Sequence, residues 1–149
     1  MPQFDAMKYA YSSHRNVVFA RKGMACSVSP VASQVGLEIL KSGGNAMDAA
    51  IAMAVTLPLV EPTGNGLGAD CFALVWSAKD QKLYGLDGSG VAPMALSADI
   101  VRAAGYDKIP LEGWFPTMVP GAPSAWAQMR RKFGTKTMAE LMAPAIQYA

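Results

Sequence analysis

The spacing of hydrophobic residues predicts a first helix directly after Ser29-Pro30. These two residues supply an N-cap and a proline at the first helical position, where its missing N–H costs nothing. Gly43-Gly44 is a typical stop signal for the same helix. Its apolar face consists of Val31, Val35, Ile39 and Leu40.

A second helix is predicted over residues 46–57, and its residues are apolar nearly all round, so we expect it to be buried. Asn45 is the predicted cap, and Asp48 is interpreted as a carboxylate at the helix start rather than a catalytic acid. Pro58 and Pro62 are expected to end this helix.

Short apolar runs predict three strands. Residues 71–76 have the pattern of a central strand, residues 79–82 look like a hairpin turn, and residues 83–87 form the return strand. Residues 24–28 are small and apolar and favour one further short strand. Residues 98–104 favour a short helix.

The C-terminal third of the chain predicts two more helices. Pro120-Gly121 opens the first, and Gly134 ends it. A capping box at residues 137–140 starts the second, in which Pro144 indicates a break. Helices flanking an antiparallel pair predict an α+β layered fold.

Composition fits one globular domain of 149 residues, with a polar lead-in over residues 1–22 and the organised part over residues 23–149. The chain is 52% hydrophobic and 16% charged, which is too apolar for a disordered chain. A net charge of +2 gives no electrostatic footprint for nucleic acid.

Two features bound the location and the metal chemistry. The longest apolar run is shorter than the roughly 20 residues of a membrane span, and the first residues contain no signal-peptide core. We therefore expect a cytoplasmic protein without a membrane segment. Cys26 and Cys71 are too far apart for a typical metal or redox motif, so structural zinc is not expected. No other metal and no organic cofactor is predicted.

Taken one by one, the candidate residues do not form a complete catalytic or cofactor-binding set. Residues 64–69 match a dinucleotide fingerprint, but a strand would have to precede it and a helix follow it, so a glycine turn is favoured. His14 is the only histidine and is interpreted as solvated rather than as a general base. Cys26 and Cys71 are interpreted as small core residues. Asp70 either holds a turn or faces a cleft.

A long run of residues, with several shorter ones, resembles the γ-glutamyltranspeptidase family. The run covers residues 32–50, and the resemblance extends over residues 23–149. Its further parts are Glu61-Pro62, Gly66-Leu67-Gly68, Phe72-Ala73-Leu74-Val75, Ala92-Pro93, Val119-Pro120-Gly121-Ala122 and Leu141-Met142-Ala143-Pro144-Ala145-Ile146.

The resemblance implies part of the αββα sandwich of N-terminal-nucleophile hydrolases, at the front of the large subunit of a precursor that cleaves itself. In that family an N-terminal threonine of the small subunit attacks a γ-glutamyl amide, with its own amine as base. None of the threonines here stands in the context of such a cleavage point; they are Thr56, Thr63, Thr117, Thr135 and Thr137. The resemblance therefore implies no catalytic residue in this chain, inactivity of the chain alone, and a small-subunit partner in a heterodimer or a dimer of heterodimers.

Two departures from the family pattern select candidate substrate-binding residues. Ser89 stands where transpeptidases carry the arginine that pairs with the substrate α-carboxylate, and serine cannot neutralise that charge. Asp70 stands in a segment that is normally a run of glycines. Both departures point to a divergent branch, such as an acylase for other amides. The alternative is a non-catalytic truncated paralogue or binding domain, because glycines, prolines and core residues serve the fold with or without catalysis.

An incomplete sandwich has a further consequence. One face of residues 72–76 and parts of residues 46–57 are expected to lie uncovered in the chain alone.

Overall fold

The computed structural model describes residues 17–149, which form helices and one antiparallel pair of strands and confirm the predicted α+β class. His14 and most of the predicted lead-in lie outside the described residues. In chain order the elements are α1 (Pro30–Lys41), α2 (Ala46–Val60), β1 (Cys71–Ser77), β2 (Lys82–Gly88), α3 (Ala98–Ala103), α4 (Ala122–Phe133) and α5 (Met138–Tyr148).

The caps predicted for the first two helices are confirmed. The Ser29 side chain accepts a hydrogen bond from the Ala32 N–H at 3.5 Å, which satisfies one of the free donors at the start of α1. At the start of α2, Asn45 and Asp48 form a reciprocal capping box. Both helices therefore begin where short polar side chains can replace the missing backbone partners.

Helix α2 lies at the centre of the core and packs against α1, α4 and α5. Its Ile51 and Ala52 are completely buried, as expected for a helix with apolar residues on nearly every side. The surrounding helices contribute Val35, Ile39, Trp126, Met129, Leu141 and Ala145 to the same cluster. Helix α4 also contacts both strands, so it joins the helical core to the hairpin.

The predicted effects of two prolines are wrong. Helix α2 continues through Pro58 to Val60, and α5 runs unbroken through Pro144. A proline inside a helix removes one backbone donor, and burial of neighbouring side chains offsets that loss. Leu141 and Ala145 beside Pro144 are buried, and after Pro58 the Glu61 N–H still donates to the Leu57 carbonyl at 2.7 Å.

The hairpin has one covered face and one open face. Strands β1 and β2 pair in a register that sets Phe72 opposite Asp87 and Trp76 opposite Leu83. Phe72, Leu74 and Trp76 are 63%, 80% and 59% exposed, which confirms the expected uncovered face on the first strand. Of residues 46–57, which were expected to be uncovered in part, Ala46 and Ala50 are exposed and the others are buried or half-buried.

The prediction for residues 24–28 is also wrong, because this segment is not a strand. A strand needs a partner for its backbone groups, and the hairpin described here does not pair with it. Instead the Ser27 N–H donates to the Ser33 hydroxyl at 3.0 Å. Cys26 is exposed rather than part of the core, since no sheet holds it against the helices.

Among the helices of residues 17–149, none combines the length and the apolar character needed to cross a membrane.

Candidate functional site

Three segments meet at the end of the hairpin opposite its turn. Cys71 at the start of β1 pairs with Gly88 at the end of β2. Just beyond β2, Val91 forms an isolated bridge with Val119, whose N–H donates to the Val91 carbonyl at 2.9 Å. The N–H of Ala122, the first residue of α4, donates to the Ala69 carbonyl at 2.9 Å. The hairpin end is thereby fixed to the start of α4.

Glycines allow these backbones to approach one another. A Cβ atom on Gly121 would lie 1.9 Å from the Gly88 carbonyl oxygen and 2.4 Å from the Gly90 nitrogen. Gly90 has a φ of +82°, a conformation that side chains other than glycine rarely adopt. The loop after β2 therefore takes its path only with glycine at these positions.

A cavity of about 390 Å³ opens beside this junction. Its lining is mostly glycine, small apolar residues and neutral polar side chains, with one carboxylate. The lining residues are Asp87, Gly88, Ser89, Gly90, Val91, Val119, Pro120, Gly121, Ser124 and Gln128.

Ser89 and Asp87 both line the cavity and are hydrogen-bonded to each other; Ser89 is half-buried and Asp87 is exposed. The Ser89 N–H donates to Asp87 Oδ1 at 3.0 Å, and the Ser89 hydroxyl donates to the same oxygen. These bonds, first the side-chain one and then the backbone one, hold the pKa of the Asp87 carboxyl below its usual value. Asp87 is therefore an anion at neutral pH.

The two residues selected from the sequence lie at the same end of the hairpin. Ser89 follows the last residue of β2, and Asp70 precedes the first residue of β1. Ser89 is half-buried and lines the cavity, whereas Asp70 is exposed and is not among the lining residues. The substrate roles predicted for both residues stay predictions.

Sequence reasoning did not select Asp87, Ser124 or Gln128 as site residues. For Asp87 a signal was present, because residues two apart at a strand end share a face, and Asp87 and Ser89 are two apart. Ser124 and Gln128 lie one helical turn apart on α4, and the Gln128 amide donates to the Ser124 hydroxyl at 3.2 Å. Only the docking of α4 on the hairpin brings them to the cavity.

The structure gives no catalytic or binding role to the other candidate residues among those it describes. Burial raises the pKa of the half-buried Cys71 thiol, so it is protonated at neutral pH, as expected for a small core residue. Residues 64–69 follow a helix and precede a strand, opposite to the order that a dinucleotide site needs. Within residues 17–149 no cluster of three or more histidine, cysteine or acidic side chains could hold a metal ion.

A larger cavity of about 450 Å³ lies between β2 and α4. Its Lys132 ammonium is 4.1 Å from the centre of the Tyr84 ring, and Phe133 packs edge-on against the same ring. Lys132, Tyr84 and Phe133 therefore pack against one another in this larger cavity. Since these side chains are already in contact with each other, the cavity beside Ser89 is the better candidate for a ligand site.

Comparison with known proteins gives consistent matches over most of the chain. A family model described as Gamma-glutamyltranspeptidase matches residues 32–149. The Glutathione hydrolase proenzyme of Pseudomonas sp. (strain A14) is 35% identical over 147 residues, which are 97% of this chain and 25% of that protein. The chain thus spans about a quarter of the length of the curated relatives it matches.

Solved structures agree with the sequence comparisons. The crystal structure of cephalosporin acylase from Bacillus halodurans matches with a TM-score of 0.87 and 52% identity. The match covers 99% of this chain and 27% of the acylase chain. The crystal structure of Helicobacter pylori gamma-glutamyltranspeptidase has a TM-score of 0.80 and 31% identity, over 90% of this chain and 39% of its own.

Proposed function

Because this chain belongs to the γ-glutamyltranspeptidase family, we propose that it forms the first part of the large subunit of an amidohydrolase of that family. The family and the partial N-terminal-nucleophile hydrolase fold expected from the sequence are both confirmed by the comparisons. In the assembled enzyme, by which we mean this chain together with the remaining large- and small-subunit sequence, it supplies half of the sandwich and one wall of the substrate cleft.

The proposed reaction is hydrolysis or transfer of a γ-glutamyl or related acyl amide. An N-terminal threonine on the small subunit attacks the amide carbonyl, and its own amine accepts the hydroxyl proton and passes it to the leaving amine. Water or an acceptor amine then releases the acyl group. Several of the curated relatives are named proenzymes, which supports a precursor that is cleaved into two subunits.

The cavity beside Ser89 is the observation that carries the proposal. It lies at the strand end where the family resemblance places contact with the substrate acyl group, and it presents hydrogen-bonding groups rather than a sealed core. Ser89 in place of arginine favours acyl groups other than γ-glutamyl, and the likeness to a cephalosporin acylase supports that broader class. A cytoplasmic location stays a prediction.

Intact mass spectrometry of the native protein tests the two-subunit proposal. We expect the polypeptide that contains this chain to be accompanied, in equal amount, by a second polypeptide that begins with threonine. An electrophilic acyl-amide analogue should add its mass to the second polypeptide only.

A folded protein with no threonine-initiated partner would contradict the proposal and favour the non-catalytic alternative. A covalent adduct on the polypeptide that contains this chain would contradict the assignment of the nucleophile to the small subunit. Denatured enzyme treated with the same reagent serves as the control for nonspecific labelling.

A further inference from the structure

The cavity beside Ser89 is electrically one-sided. Asp87 is the one charged side chain among the described residues that line it, and Ser89, Ser124 and Gln128 are neutral. Asp87 is exposed where it lines the cavity, and a carboxylate there attracts cations and repels a second carboxylate, because like charges at short distance disfavour one another.

Hydrogen-bond direction strengthens this asymmetry. A serine hydroxyl has one proton, and that of Ser89 is donated to Asp87 Oδ1. The Ser89 hydroxyl therefore has only its oxygen lone pairs left to offer to a ligand in the cavity. Both side chains therefore accept hydrogen bonds, so Ser89 as placed here does not donate one to a substrate carboxylate.

The pair is also held in place. The Ser89 backbone N–H reaches the same oxygen at 3.0 Å, and Gly90 and Gly121 fix the loop that carries Ser89 against the start of α4. Asp87 Oδ2 receives no hydrogen bond from the described residues, so it is free to accept one from a ligand.

We infer that Asp87 and Ser89 form a subsite that binds an ammonium or another hydrogen-bond donor on the substrate and discriminates against a carboxylate. The inference rests on the proposed function and deepens it by naming the acyl group that this cleft accepts. A γ-glutamyl group carries both charges, whereas this subsite favours an acyl chain that carries the amine alone.

Anilides of four acyl groups of similar length separate the two charges. They are 4-aminobutyryl (ammonium), glutaryl (carboxylate), γ-glutamyl (both) and butyryl (neither). With the assembled enzyme we expect kcat/KM for the 4-aminobutyryl anilide to exceed that for butyryl about tenfold, and glutaryl to fall below butyryl.

Asp87→Asn should remove most of the tenfold preference for the ammonium, mainly through KM. The matched control is Asp80→Asn, which removes the same charge at the turn end of the hairpin, where Asp80 bonds Ser77 and Tyr84. Ser89→Arg should reverse the order, raising turnover of γ-glutamyl and glutaryl anilides relative to 4-aminobutyryl.

An enzyme that prefers glutaryl, or keeps its preference in Asp87→Asn, would overturn the inference while leaving the proposed function intact. Failure to cleave any of the four anilides would count against the proposed function instead. In that case the backbone NMR signals of Ser89 and Gly90 are followed during titration with butylamine and with butyrate. Shifts with butylamine alone support the subsite, and shifts with butyrate alone or with neither compound overturn it.

Discussion

Asp48 shows how a residue predicted from local sequence acquires a wider role in the fold. The sequence assigned it to the start of α2, and the capping box with Asn45 confirms that assignment. The structure adds partners far along the chain: the Thr135 N–H at 2.9 Å, the Thr135 hydroxyl at 2.6 Å and the Lys136 N–H at 3.2 Å. Asp48 thereby fixes the link between α4 and α5 to the start of α2. Helix-start patterns contain no information about such distant donors.

The buried carboxylate makes stability depend on pH. Burial by itself would raise the pKa of Asp48, but the hydrogen bonds from Thr135, Asn45 and Lys136 outweigh it and lower the pKa. The stabilisation is therefore complete above the pKa of an unfolded aspartate, about 3.9, and is lost as the pH falls through the lower folded value.

Asp48→Asn should lower the free energy of unfolding by about 3 kcal/mol at pH 7, since an amide cannot accept all of these bonds and leaves buried donors unsatisfied. The loss should shrink as the pH falls below about 4, because the carboxylate of the unfolded chain is protonated there first, and it should vanish once the pH has passed the lower folded pKa. Denaturant unfolding of the assembled enzyme at several pH values measures both effects. The control is Asp99→Asn, whose carboxylate also lies in a first helical turn but is 93% exposed. Equal losses in the two variants would refute this role for Asp48.

At the scale of elements, prediction succeeded where local chemistry decides the outcome. Helix caps, glycine stops and the hairpin turn depend on a few neighbouring residues, and those near Ser29, Asn45 and Thr137 were identified correctly. The failures at Pro58, Pro144 and residues 24–28 depended on packing or on a pairing partner. The cavity beside Ser89 belongs with the failures, since α4 reaches the hairpin only through tertiary contact.

The contact between the hairpin and α4 predicts a strong effect of one added methyl group. In Gly121→Ala the new Cβ would overlap the backbone of Gly88 and Gly90, which cannot move aside as a flexible side chain would. We expect a loss of about 2–3 kcal/mol in stability together with at least a tenfold fall in kcat/KM. Denaturant unfolding and steady-state kinetics measure the two effects.

The matched control is Gly68→Ala, because an added Cβ there meets nothing within 4 Å and the residue has no positive φ. Its stability should stay within about 0.5 kcal/mol of the parent. If Gly121→Ala matched Gly68→Ala in stability, the close approach of Gly121 to Gly88 and Gly90 would be refuted.

At the scale of the whole molecule, the sheet has two strands and one apolar face without cover from the described residues. Residue patterns predicted the strands, and the family resemblance predicted that they belong to a larger sandwich. Alternation alone could not say which face is open, since Phe72, Leu74 and Trp76 are as apolar as the residues that face α4. That distinction comes from the docking of α4 on the opposite face.

The open face predicts that assembly requires an apolar surface at the hairpin. Covering Phe72, Leu74 and Trp76 would contribute roughly 6 kcal/mol to association at about 2 kcal/mol for each large side chain. A charge placed there would be buried without a partner, so Leu74→Asp should abolish recovery of assembled enzyme.

Leu111→Asp is the matched control, because Leu111 is 96% exposed and lies outside the hairpin. It should leave assembly unchanged. Size-exclusion chromatography with quantification of both subunits measures recovery, and binding of a hydrophobic dye by this chain alone reports the open face directly. Normal assembly of Leu74→Asp would mean that the exposed face of the hairpin is not where the rest of the sandwich packs.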